Sequence, residues 1–491
     1  MNRLKTHWLF VIGVVLAALV IPLLFFLPDG DGRRDDPWAH VPQRLPHTDH
    51  SVLMKGPFPD GPSVTRACLE CHADAAHEVM GTVHWTWESE PVALPGREEP
   101  RSLGKKNAIN NFCIGINSNW PPCTACHAGY GWTDAAFDFQ ESDNVDCLAC
   151  HDNSGTYVKG AGGIPQEDVD LLAVARSVGG PTRANCGNCH FRGGGGNAVK
   201  HGDLDESLYY PRDNVDVHMG RHDFLCTDCH QTSDHQMKGR AISVSVDDRN
   251  QVRCTDCHST TLHADDRITA HLDALACQSC HIPAAALRHP TKMHWDWSQA
   301  GQDIAEDPHT YLKKKGRFEY ARDITPEYAW YNGVAEHYFL GDTIDPGRPT
   351  VLTDPSGSID DPDARIWPFK VHRAWQIYDA EHHYLIQPKT AGKGGYWSDF
   401  DWDQAARLGM ETVGLDYSGR YDFAPTVMYW PITHMVAPSE RALQCVDCHG
   451  DNPQVRMDWR ALGYDGDPIT HGGRRLPRLS ALGSRAEGGR Q

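Results

Sequence analysis

Hydrophobic and polar positions divide this chain into four unlike stretches. Residues 8–27, "WLFVIGVVLAALVIPLLFFL", carry no charge and follow Arg3 and Lys5. A run of that length can span a bilayer, and the basic flank places the N-terminus on the inner side. A secretory signal has a shorter apolar region and a small-residue cleavage site, and no clean site follows here. Residues 1–27 therefore predict a membrane anchor, with a cleaved signal segment as the alternative; either way the body is exported. Residues 28–60 are rich in Pro, Asp and Gly and predict a linker. The body follows, with few long periodic runs between residues 290 and 440 despite many Trp and Tyr. The tail, 471–491, is Gly- and Arg-rich and predicts a flexible end.

Composition changes this picture at one point. The chain has 491 residues, a formal charge of −19, 17 cysteines and 29 histidines. The acidity excludes a nucleic-acid partner, which needs a basic footprint. The pattern C-x-x-C-H occurs eight times. Its thiols are Cys68 and Cys71, Cys123 and Cys126, Cys147 and Cys150, Cys186 and Cys189, Cys226 and Cys229, Cys254 and Cys257, Cys277 and Cys280, and Cys445 and Cys448. Its histidines are His72, His127, His151, His190, His230, His258, His281 and His449. Disulfides or zinc ribbons do not require a histidine after every pair, whereas covalent c-type haem attachment does. The two thiols form thioethers to the porphyrin and the histidine is the proximal iron ligand. The cofactors are eight covalent c-type haems; nothing in the sequence decides for or against calcium. Sixteen cysteines are used, leaving Cys113.

Seven motifs fall within residues 61–290, a seven-haem core. The eighth lies in 441–470, beyond a haem-free insertion at 291–440. So many haems must form much of the core themselves. The fold class expected is a multihaem cytochrome c: short α-helices and irregular loops around a closely packed eight-haem core, with little β. The insertion would clad that core or wall a substrate channel.

Function turns on the sixth iron ligand. A second histidine makes an electron carrier; a weak ligand leaves a place for substrate. Histidines in short polar stretches near the motifs are His84, His201, His218, His235, His263, His271 and His434, with His77, His222, His289, His294 and His372 also open.

The stretches "NNFCIGINSNWPPCTACHAGYGW", "CGNCHFRGGGGNAVKHGDLD", "TKMHWDWSQAG" and "YWPITHMVAP" resemble the octahaem tetrathionate reductase family of periplasmic cytochromes c, from about residue 50 to 460. The resemblance implies seven bis-histidine haems and one active-site haem, the second, with Lys200 as distal ligand. It also implies Asn110 and Cys113 as pocket residues. The family has an acidic residue where this chain has Asn197, which removes a possible proton donor. On the residues alone, Lys159 rivals Lys200. An amine ligates iron only when neutral, so burial must lower the lysine pKa.

The activities implied are reduction of tetrathionate, nitrite or hydroxylamine, with a membrane or periplasmic electron donor. The substrate is then a small anionic or polar molecule, and Lys, His or Arg side chains, His372 among them, would neutralise an anion. Cys113 would be a buried structural thiol or one within reach of substrate sulfur. Two other readings are a non-catalytic, membrane-tethered electron conduit and an oxidoreductase of the hydroxylamine or hydrazine type.

Overall fold

The structure is a computed structural model that describes residues 36–44, 46–94, 97–112, 114–246, 249–261, 263–451 and 454–474. The anchor or signal segment, Cys113 and the tail beyond residue 474 lie outside the described residues. Among the described residues no helix is long and apolar enough to cross a membrane. The chain forms two compact units. Of the described residues, one unit holds 36–44 and those within 253–270 and carries the sixth motif on the short turn Cys254–Asp256. The other holds the described residues within 46–252 and 271–474 and carries the remaining seven.

Through the haem-binding part of the larger unit the elements are short, as expected. Typical are Leu148–His151, Cys226–Cys229, Cys277–His281 and Cys445–Cys448. One turn suffices because a motif spans only five residues.

The haem-free segment is richer in β than the sequence suggested. It builds an eight-stranded mixed sheet: β1 Thr291–Asp296, β2 Tyr311–Leu312, β3 Gly316–Ala321, β4 Glu327–Tyr331, β5 Ala335–His337, β6 Thr350–Pro355, β7 Arg365–Asp379 and β8 Tyr421–Pro431. The order is β2-β3-β1-β7-β8-β6-β5, and β4 also pairs with β7. β7 and β8 run antiparallel from Tyr421 opposite Asp379 to Pro431 opposite Phe369. β7 is buried along most of its length, so it lacks the in–out alternation that marks a half-exposed strand.

The helix Trp402–Val413 packs on this sheet, started by the Asp401 carboxylate on the Gln404 N–H and ended by Gly414 at φ 72°. Trp295, Trp297, Ile377, Met410 and Trp430 form its core together with Ile109, Phe112, Ile114 and Val199. Those last four come from the segments flanking Asn110 and Lys200. The sheet is thus packed directly against the chain on which the sequence placed its chemistry.

Candidate functional site

One helical turn puts residues i, i+3 and i+4 on one face, which is how both thiols and the histidine of a motif reach one porphyrin. Outside the helices Arg183–His190 and Cys277–His281, which contain two further motifs, the histidine N–H closes that turn on the first cysteine carbonyl in five motifs: His72 on Cys68 at 3.0 Å, His151 on Cys147 at 3.1 Å, His230 on Cys226 at 2.8 Å, His258 on Cys254 at 2.9 Å and His449 on Cys445 at 2.9 Å. No disulfide joins any of the sixteen motif cysteines.

Five motif histidines face a second imidazole across nearly one distance. His72 faces His50 at 6.3 Å, His190 faces His84 at 6.2 Å and His151 faces His235 at 6.4 Å. His230 faces His434 at 6.3 Å and His449 faces His271 at 6.1 Å. Two imidazoles on opposite sides of one metal, each with its nitrogen about 2.0 Å away, hold their centroids about 6 Å apart. The outer nitrogens are anchored to match. Nδ1 of His151, His230 and His449 meets the Gly179 carbonyl (2.8 Å), the Lys238 carbonyl (2.8 Å) and the Asp467 carboxylate (2.7 Å). Nδ1 of His235, His434 and His50 meets Glu78, Asp203 and the Thr48 carbonyl. Such partners leave Nε2 for the metal and orient the ring. Burial lowers the pKa of His84, His151 and His230 and brings His190 to about 3, keeping these rings neutral as ligands must be. The residues present fit haem at these five motifs.

Thiols of different motifs also meet. The Cys68 thiol lies close to that of Cys147, Cys126 to Cys189 and Cys226 to Cys186. The Cys150 thiol bears on Cys186, and Cys445 on Cys280. Attachment sites one, three, four, two and five are therefore contiguous, as are seven and eight. The sequence, read as a line, did not contain this order.

The second motif differs. His127 is fully buried and ringed by Trp85, Trp87, Trp132, Phe137 and Phe139 at 4.8–6.1 Å. Its Nε2, not Nδ1, meets a carbonyl, that of Trp85 at 2.7 Å, so binding iron there requires the ring to give that contact up. Among the described residues no imidazole faces it. Burial lowers its pKa to about 4. Cations gather instead: contact with Cys189, then the charges of Lys105, Lys159 and Lys200, lower the Cys126 thiol to about 6. Lys159 is committed elsewhere, to the buried Asp146 carboxylate at 2.7 Å and the His127 carbonyl.

Lys200 is held by its backbone. Four consecutive carbonyls are clamped by two side chains of the sheet. Thr291 on β1 donates to the Ala198 carbonyl at 2.7 Å, and the His201 carbonyl lies 3.1 Å from the same hydroxyl. Lys370 on β7 donates to the Val199 carbonyl at 2.9 Å and the Lys200 carbonyl at 3.0 Å. Its third contact is the Thr291 hydroxyl at 2.6 Å, which already spends its proton on Ala198. Burial drives the Lys370 pKa well down, opposed by Asp203, yet three acceptors call for three N–H donors, and only the ammonium has them. The clamp also holds Ala198 at φ 58°, a left-handed conformation costing roughly 1–2 kcal/mol. Lys200 Nζ lies 4.7 Å from the Trp430 ring centre.

The other predicted residues divide plainly. Asn110 lies on the same wall; its carbonyl accepts from Gln376 at 2.9 Å. Asn197 is turned to the Glu206 N–H at 3.0 Å. The half-buried His201 packs on Trp430 at 5.1 Å and, among the described residues, faces no motif histidine. His218 packs on Phe224 at 5.8 Å, and His263 lies in the compact unit that holds the sixth motif. His372 is not the cation considered from the sequence: burial and then the Lys370 charge push its pKa well below the ordinary value. Its Nδ1 meets Asn111 Oδ1 at 2.9 Å, Asn111 donates back to the His372 carbonyl, and Nε2 is buried without a hydrogen-bond partner. Sequence reasoning missed His50, Thr291, Lys370 and Asn111; only the reciprocal positions of distant segments reveal them. Asn111→Ala should cost about 1–3 kcal/mol by stranding the His372 pair, read as a lower guanidinium midpoint.

Short motif turns, paired imidazoles and contiguous attachment sites define a multihaem c-type cytochrome. A family model described as bacterial cytochrome c matches residues 292–452. The crystal structure of octaheme cytochrome c from Shewanella oneidensis is 50% identical to this chain, covers 86% of it and 98% of its own length, and superposes with a TM-score of 0.81. An uncharacterized protein of Archaeoglobus fulgidus is 26% identical over 227 residues, 35% of this chain and 74% of that protein. The chain belongs to the octahaem c-type cytochromes.

Proposed function

We propose that this protein is a periplasmic reductase of small oxidised sulfur or nitrogen species, acting at its second haem. One observation carries the reading: five motif histidines have an imidazole opposite, while among the described residues His127 has none and is instead enclosed by aromatic rings in a motif with lysines nearby. Haem supplies the redox chemistry when bound. The protein's part is to hold Lys200 at a set place, to keep the surroundings of His127 dry with aromatic rings, and to present positive charge to an anion. His372, neutral with its proton toward Asn111, offers a bare Nε2 that can take a proton or a hydrogen bond. Tetrathionate would be split at its central S–S bond by two electrons into two thiosulfates. Nitrite would take six electrons to ammonia. Contiguous attachment sites support storage and delivery of those electrons.

Distal ligands in this reading are His84, His235, His271 and His434. His50 takes a place that the sequence assigned to His201, which becomes a neighbour of Lys200. His218 and His263 remain the candidates for the sites outside the five pairs. Asn110, Asn197 and Cys113 keep the pocket roles implied by resemblance, and the N-terminal segment remains a proposed tether. His50→Ala should turn one haem of eight high-spin, seen by electron spin resonance, and leave the second haem's ligand chemistry intact.

The test is ligand binding by the oxidised holoprotein. Cyanide, nitrite or hydroxylamine should perturb one haem of eight in absorbance and electron spin resonance. If no haem responds, the reductase reading fails and the inert conduit stands. Turnover with reduced viologen then separates tetrathionate from nitrite and hydroxylamine.

A further inference from the structure

A cavity of about 370 Å³ opens beside the Lys200 loop. Its chemistry is one-sided. Lys292, Lys315, His289, His309, Asn197 and Tyr320 line it, and none of the described lining residues is acidic. This occurs in a chain with 65 acidic and 46 basic residues, whose overall charge repels anions. A cavity walled by one sign of charge focuses the field and concentrates the opposite ion. No motif cysteine or histidine lines it.

The cavity is graded from mouth to floor. His309 is exposed. Lys292 is 3% exposed, with its ammonium 3.4 Å from the Trp295 ring centre, 3.9 Å from Phe318 and 5.3 Å from Tyr320. The register of β1 against β3 shifts between Lys292 and His294, and such a bulge re-aims side chains.

The cavity and Lys200 share two structural elements. Thr291, which clamps the Lys200 loop, immediately precedes Lys292. In the tetraglycine Gly193–Gly196, a methyl at Gly193 would lie 3.2 Å from Lys200 Cδ, and one at Gly195 would lie 3.7 Å from Lys315 Nζ. Glycine at these places lets the chain pass closely between the two lysines.

We propose that this cavity is an anion site that receives a small sulfur or nitrogen oxyanion travelling to or from Lys200. Its role in transit rests on the reading that chemistry occurs at the second haem; its anion binding does not. The site selects charge: it favours nitrite or a thiosulfate-like group over hydroxylamine, which is uncharged at neutral pH.

The experiment uses the holoprotein and two variants, Lys315→Gln, at a half-buried position, and Lys292→Met, which keeps the volume of the stem. Unaltered reduced-haem spectra establish that each variant is folded. Calorimetric titration with sulfate should show one site in the wild type, weakened about tenfold in either folded variant. The ratio of kcat/KM for nitrite to that for hydroxylamine should fall about tenfold as well. Equal sulfate binding in wild type and variants, or no sulfate site in the wild type, overturns the anion site. Weakened sulfate binding with an unchanged ratio overturns the role in transit. If no haem reacts with nitrite or hydroxylamine, the proposed function fails by itself, and the sulfate titration still decides the cavity.

Discussion

If the proposed reductase reading holds, Lys200→Ala should lower kcat for the reducible anion about 100-fold, the scale on which removal of one aimed cationic or hydrogen-bonding group is felt. The optical and electron spin resonance spectra should change at one haem and stay unaltered at seven. That asymmetry is expected because Lys200 bears on Cys126 of the second motif, whereas five other motif histidines already have an imidazole opposite. The aliphatic part of the side chain packs near Gly193, so Lys200→Met separates packing from chemistry. It should fold like the wild type and fail like the alanine variant. A variant with unchanged spectra and turnover removes Lys200 from the site.

Lys370→Met should be the most damaging change away from haem. Lys370 is 1% exposed and supplies all three of its donors to Val199, Lys200 and Thr291. Methionine fills the space but strands two buried carbonyls and a hydroxyl, at about 1–3 kcal/mol for each acceptor left dry. Partial relaxation makes about 3 kcal/mol the expected loss, measured as a lower guanidinium midpoint. The loop should also lose its register, because Thr291, which reaches only the Ala198 and His201 carbonyls, then holds it alone. The second haem's spectrum should drift toward that of the Lys200 variants while the other seven hold. A lower midpoint with eight unaltered spectra would make Lys370 structural only.

Some of this was legible in the chain and some was not. Each C-x-x-C-H packs its chemistry into five residues, and one turn of helix brings them to one porphyrin. The pattern therefore declares cofactor and number whatever the rest of the chain does. The distal residues carry no such local mark. His84, His235, His271 and His434 could be suspected from polar surroundings, but the same test also selected His201 and passed over His50, in the stretch read as linker. The sheet was hidden for a related reason: β7 is covered on both sides, so its apolar residues do not alternate. Lys370 was invisible because a lysine in "WPFKVHRAW" looks like a surface residue until its carbonyl partners are in view. Cys113 lies outside the described residues, and its part in catalysis stays a matter for Cys113→Ser assayed on tetrathionate and on nitrite.

The sequence by itself determined eight haems and their covalent anchors, because thioether and proximal-histidine geometry is settled within one helical turn. Tertiary structure alone decided which imidazoles stand opposite which, which attachment sites are neighbours, and that the haem-free sheet grips the Lys200 loop. Those are contacts between segments far apart in the chain. Closing them depends on packing and on buried hydrogen bonds that must find partners, and no spacing along the sequence records where those partners lie.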